Sequence, residues 1–261
     1  LGDEAFREAE LGRSQAELAE EELLAEVLMR FAGKALARAG RMAEADLWFD
    51  ELAAGSSNRS DIAFDAGWAF HTEGELDRAL AWYERGLGRG AGTDGGKSKI
   101  AFLEGIVPIH LEREQPELAE EAVRRFLKIY PHFEGWRRLY QELIRWRSGE
   151  TPDLSGIELP VRQLEDVPRY HLLELRNAAG EAPEALLAEV RSLQEEAPRA
   201  LGGLYSLEGE LLDRLGRPAE AATARARAVP WLEENLRIDP VLRLHLAIAR
   251  ERAAKSPGGS S

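Results

Sequence analysis

The residues with the most recognisable chemical potential form a glycine-rich run, Ala91-Gly-Thr-Asp-Gly-Gly96-Lys97-Ser98. With Ala accepted where the strict pattern has Gly, it matches a phosphate-binding loop. In such a loop backbone amides cradle phosphates, the Lys reaches the outer phosphates and the Ser holds magnesium. That chemistry requires a buried strand before the loop and a helix after it. Here the preceding Asp77-Arg-Ala-Leu-Ala-Trp-Tyr-Glu-Arg-Gly-Leu87 reads as a helix, and no apolar strand ends in an Asp that would organise the metal. The run is therefore read as an inter-helix loop with Ser98 as a helix cap. His71, His110, His132, His171 and His245 fall singly, with no i, i+4 pair and no His-Glu-x-x-His, so no metal site is predicted. Carboxylates gather at Glu20-Glu21-Glu22 and Glu120-Glu121, where helical surroundings make them solvated faces. Gly-x-Ser-x-Gly is absent and so is cysteine. No catalytic residue and no cofactor is expected.

A second chemical possibility lies between residues 124 and 147. Arg124, Arg125, Lys128, Arg137, Arg138, Arg145 and Arg147 meet only Glu134 and Glu142 there. Phe126, Tyr130, Phe133, Trp136, Tyr140 and Trp146 are interleaved with them. Basic and aromatic residues together serve phosphate binding and base stacking. The spacing points elsewhere: Phe133, Trp136, Tyr140 and Leu143 fall at i, i+3, i+7 and i+10, the stripe of a helix facing a core. The cations are then its solvated flank, available to an acidic protein partner, and nucleic acid is disfavoured.

The elements that must position these groups follow from the whole chain. Its 261 residues, 44% hydrophobic, are enough for one large or two small domains with a buried core. A net charge of −13 works against nonspecific attraction to nucleic acid or anionic lipid. Apolar stretches are a few residues long, far below the ~20 of a membrane-spanning helix. The start shows no basic segment followed by an apolar one, and it begins at Leu1 rather than Met. The default compartment is the cytoplasm, with a periplasmic or envelope-associated place left open. Arginine outnumbers lysine 29 to 5, which fits a bacterial genome rich in G and C.

Recurrence is visible at a fixed offset. Gly33, Gly40, Ala45 and Phe49 each find a counterpart 34 residues on, at Gly67, Gly74, Ala79 and Tyr83. Looser copies run from Leu103 through His110, Ala119, Val123 and Phe126 to Pro131, around Gly180 and Ala185, and through Tyr205, Gly209, Leu212, Gly216 and Ala221. Gly33, Gly67 and Gly209 are read as sites of close helix approach, because Gly inside a helix otherwise costs ~1 kcal/mol relative to Ala. Gly40, Gly74, Gly180 and Gly216 are read as left-handed helix ends. Ser14-Gln-Ala-Glu17 is a capping box opening the first helix. Pro116 and Pro218 sit at first helical positions, and Pro240 opens a final helix to about Ala254. Pro108 predicts a kink or break in the helix that holds it.

This pattern resembles the tetratricopeptide repeat family, most clearly over residues 26–93, then 100–131 and 202–235, and least over 166–198. The resemblance implies an all-α fold, an α-solenoid of antiparallel helix pairs in a right-handed superhelix, with peptides or partner proteins held on its concave side. An N-terminal helix, three repeats and an extra helix occupy 1–148, a Pro/Gly-rich connector 149–166, further helix pairs 167–255, and a disordered tail 256–261. In the family register the first helix of each pair lines the groove. That places Arg30, Lys34 and Arg38 on one stripe and Phe64, Trp68 and His71 on the next, a clamp for an acidic or C-terminal peptide. Asp65 intrudes in that face and the family's Asn partners are missing. The function expected is a non-catalytic interaction scaffold or adaptor. The alternatives are a docking part of a larger enzyme and a nucleic-acid-linked regulator using 124–147.

Overall fold

The computed structural model describes residues 4, 6–8, 10–12, 22–88, 99–129, 134–157, 166–197, 200–236 and 239–255. The capping box at 14–17, the glycine-rich run at 91–98, Pro131, His132 and the chain beyond 255 lie outside them. The described residues contain helices, turns and irregular backbone and no strand.

The chain forms two compact units, residues 1–106 and 107–261. The first holds α1 (Glu22–Arg38), α2 (Met42–Gly55), α3 (Arg59–Thr72), α4 (Leu76–Gly88) and the start of α5 (Lys99–Glu112). The second holds the end of α5, α6 (Pro116–Ile129), α7 (Glu134–Arg147), α8 (Asp166–Ala178), α9 (Pro183–Glu196), α10 (Leu201–Arg214), α11 (Pro218–Asn235) and α12 (Leu242–Lys255). Pro116, Pro183 and Pro218 each open a helix, where the missing N–H has no partner to lose. Pro108 lies inside α5 without breaking it.

One turn recurs. At the end of α1, Gly40 N–H donates to the Ala37 carbonyl (2.9 Å) and Arg41 N–H to that of Leu36 (3.0 Å). The same two bonds close α3 at Gly74 and Glu75, α7 at Gly149 and Glu150, α8 at Gly180 and Glu181, and α10 at Gly216 and Arg217. The pair satisfies carbonyls that a helix end leaves open, and it puts the C′ residue in the left-handed region. The five glycines there have φ between 69° and 89°. At the end of α5 the position falls to Glu114, with φ 56° and the same hydrogen bonds through Glu114 and Gln115.

Packing within the pairs explains the interior glycines. A Cβ on Gly33 would stand 2.6 Å from the Phe49 ring, and one on Gly67 2.5 Å from Tyr83. Tyr83 meets α5 as well, since a Cβ on Gly105 would lie 2.6 Å from the other edge of its ring. Phe49, Tyr83 and Phe102 are fully buried. Burying such a ring is worth ~1.5–3 kcal/mol, more than the ~1 kcal/mol a helical glycine costs, so the exchange favours glycine. Successive second helices are joined by polar contacts: Asp46 of α2 accepts from Arg78 Nε (2.7 Å) and Trp82 Nε1 (2.9 Å) of α4, and Asp50 pairs with Arg85. In the second unit Gly203 makes room for Tyr170 as Gly67 does for Tyr83.

Candidate functional site

The cationic stripe of α1 is not empty-handed. Asp65 of α3 is 2% exposed, and both Arg30 and Lys34 (2.9 Å) pair with it. Its position in α3, one residue after Phe64, turns the carboxylate toward α1, where the two cations compensate its burial. Glu26, one turn before Arg30, accepts from Asn58 Nδ2 (3.1 Å) and the Ser56 hydroxyl, which ties the loop after α2 to the same network. Arg38 is exposed.

The second stripe departs from the expectation. Phe64 and His71 are buried, and only Trp68 is half-exposed. Phe64 packs against Trp68, Tyr83 and Phe102, with ring centroids 5.6–5.9 Å apart, and His71 lies 6.1 Å from Tyr83. The reason is that α3 is covered by more than one neighbour, so nearly every residue from Ile62 to His71 is buried. The six residues therefore do not make one open surface. The residues α1 does expose include Leu24, Phe31, with the Lys34 ammonium 5.6 Å above its ring, and Arg38.

The basic segment is divided in a comparable way. Phe126, Trp136, Tyr140 and Leu143 are buried, in keeping with a core stripe, and Phe133 lies outside the described residues. Arg124 and Lys128 are exposed, Arg124 paired with Glu121; Arg125, Arg137 and Arg138 are half-buried. Arg137 donates to Gln141 Oε1 (2.6 Å). Buried Glu142 accepts from Arg145 (3.0 Å) and from the backbone N–H of Asp153 (2.7 Å), fastening residues 149–157 to α7.

A well-defined concavity among the described residues lies in the second unit, and of its lining the sequence reading singles out only Trp146 and Arg147, as part of the basic segment. A cleft of about 390 Å³ opens among Trp146 and Arg147 at the end of α7, Asn177 and Ala178 at the end of α8, Glu210 and Asp213 of α10, Arg225 of α11, and Ile248, Glu251 and Arg252 of α12. Spacings of three and four residues put 210 with 213, and 248 with 251 and 252, on single helix faces. Its charges are paired across helices. Arg147 makes a two-pronged bond to Glu251 (2.7 and 3.1 Å), Arg225 pairs with Asp213, and Arg252 pairs with both Glu210 and Glu174. Asn177 donates to Glu210 (2.7 Å) and accepts from Arg214. Burial works against the charge of Arg252, but Glu174 and Glu210 beside it hold its pKa above the ordinary arginine value. The network would hold the cleft's shape, because each guanidinium is fixed by a carboxylate on a different helix.

Elsewhere in this unit Tyr170, His171 and His245 pack together in tilted and edge-on contacts, with ring centroids 4.3 to 5.4 Å apart. Burial lowers the His171 pKa to about 3, so the ring is neutral. Burial, and then the nearby Glu174 charge, push the Tyr170 phenol well above its usual value. Among the described residues no group of three or more His, Cys, Asp and Glu is placed to hold a metal ion. Nor, among those residues, is any helix long and apolar enough to cross a membrane.

The fold is similar to the crystal structure of a tetratricopeptide repeat protein from Parabacteroides merdae ATCC 43184. The two are 15% identical with a TM-score of 0.50, over 95% of this chain and 99% of that one. No protein-family model and no curated protein matches the sequence. The likeness establishes the fold: an all-α, tetratricopeptide-repeat-like α-solenoid of antiparallel helix pairs.

Proposed function

We propose that the protein is a non-catalytic interaction scaffold that holds a peptide segment of a partner protein in the cleft of its second unit. The observation that supports this is the cleft itself: about 390 Å³, lined from five helices by an aromatic, an aliphatic and three cross-helix ion pairs. Such a mixture of apolar and convergent polar groups is what small binding sites are made of, and the volume is at the lower end of their range of about 300–1,000 Å³. It suits one or two side chains with their backbone. A fold of stacked helix pairs supplies the rigid frame that such recognition needs.

Selection of displayed random peptides on the intact chain, followed by fluorescence anisotropy with the selected sequences as synthetic peptides, tests the proposal. Trp146→Ala is expected to weaken binding at least tenfold with an unchanged circular dichroism spectrum. The triple variant Arg30→Ala, Lys34→Ala, Trp68→Ala is expected to bind as the unaltered protein does. The opposite pattern would move the site to the first unit, and failure to select any peptide would remove the proposal.

A further inference from the structure

We infer that the cleft selects a lysine or arginine side chain of its partner. This rests on the reading of the cleft as the partner site and adds the charge of what enters it. In each of the three ion pairs the guanidinium is the deeper member. The side chains of Arg147, Arg225 and Arg252 are 20%, 16% and 11% exposed, whereas those of Glu251, Asp213 and Glu210 are 46%, 34% and 35% exposed. A group approaching from solvent meets carboxylate before it meets guanidinium. A third to nearly half of each carboxylate side chain faces solvent, and an ionised carboxylate can accept several hydrogen bonds at once, so each can meet a further donor from that side. A second cation at the mouth therefore gains charge-assisted hydrogen bonds without breaking the pairs beneath.

The apolar part of the lining fits the same ligand. Trp146 and Ile248 offer a surface for the aliphatic stem of a long basic side chain, and an indole face adds cation–π attraction. The chain's net charge of −13 draws basic segments toward it and repels acidic ones. An acidic side chain entering here would face three carboxylates at close range, which excludes wrong partners more strongly than it weakens right ones.

The test uses fluorescein-labelled nonapeptides of one Gly/Ser framework carrying three Lys, three Gln or three Glu, measured by anisotropy at low and physiological salt. The Lys peptide is expected to bind at least tenfold more tightly than the Gln peptide, with the Glu peptide weakest. The double variant Glu251→Gln, Asp213→Asn is expected to lose at least fivefold of that preference. Glu117→Gln, Glu120→Gln removes two exposed charges outside the cleft and is expected to leave the preference within twofold. Equal losses in the two double variants would show bulk attraction and overturn the inference. If instead the Glu or Gln peptide binds best and Trp146→Ala abolishes it, the charge inference falls while the cleft remains the partner site. If no peptide binding depends on Trp146, the reading beneath it falls as well.

Discussion

Acid should weaken the second unit through His171. The ring is 1% exposed, lies against Tyr170 and His245, and its Nδ1 has no hydrogen-bond partner among the described residues. Burial lowers its pKa from 6.5 to about 3. The unfolded chain therefore takes up this proton first as pH falls, so the contribution is complete above about pH 6.5 and is lost progressively down to about pH 3. Between pH 7 and pH 5 the two pKa values give a loss of about 2 kcal/mol, and by pH 4 about 3 kcal/mol. Glu181 is held below the ordinary glutamate range by its hydrogen bond to Arg176, as Glu44 is by Arg41 and Glu220 by Arg217, so these pairs do not account for a loss between pH 7 and pH 5. Urea unfolding of the unaltered protein and of His171→Phe at pH 7, 6 and 5 isolates the effect. Phenylalanine keeps an aromatic ring and removes the titration, so the stability difference between the two proteins should shift by about 2 kcal/mol in favour of the variant from pH 7 to pH 5. Parallel pH dependences would refute the reasoning, as would a His171 Cε1–H resonance that titrates near pH 6.5 in the folded protein.

Three further outcomes are expected. Gly67→Ala should destabilise by about 2–3 kcal/mol, because the Tyr83 ring it strikes is stopped on its other edge by Gly105; Gly40→Ala meets nothing within 4 Å and should cost only about 1 kcal/mol through its positive φ, both read from thermal midpoints. Glu114→Gly should stabilise by about 0.5–1 kcal/mol by relieving the left-handed strain at the end of α5, and a lower midpoint would contradict that account. Asp65→Asn should cost about 2 kcal/mol in chemical denaturation by leaving Arg30 and Lys34 uncompensated, with the half-exposure of Lys34 keeping the loss below that of a fully buried pair.

The parts of this fold that the sequence announces are those where one residue type answers one local demand. Gly40, Gly74, Gly180 and Gly216 mark left-handed helix ends because few other residues tolerate that backbone. Gly33 and Gly67 predict close helix approach because a helical glycine is otherwise unfavourable, and the structure fills that space with the Phe49 and Tyr83 rings. Pro116 and Pro218 mark helix starts for an equally local reason. Glu114 escaped notice since it occupies the same turn without the diagnostic residue, and of the two outcomes expected at Pro108 the break does not occur, since α5 runs on through it. The cleft was illegible for a different reason. Arg147 meets Glu251 across 104 residues and Arg252 meets Glu174 across 78, and no spacing rule reaches that far. His171 and His245 look solitary along the chain yet lie 5.3 Å apart. Phe64 and His71 show the converse: a helical stripe marks one face, but it cannot say that α3 is covered on the other faces too.

Tyr83 has a consequence beyond its own burial. With Gly67 against one edge of its ring and Gly105 against the other, it works as a gauge block that sets the distance between α3 and α5. The three positions then form a single steric sum rather than three independent choices. A bulkier residue at either glycine demands a slimmer one at 83, and a slimmer residue at 83 lets the two helices close on each other. Tyr83→Leu combined with Gly67→Ala should thus be milder than the two changes added separately, which makes the pitch of this part of the stack adjustable at one side chain.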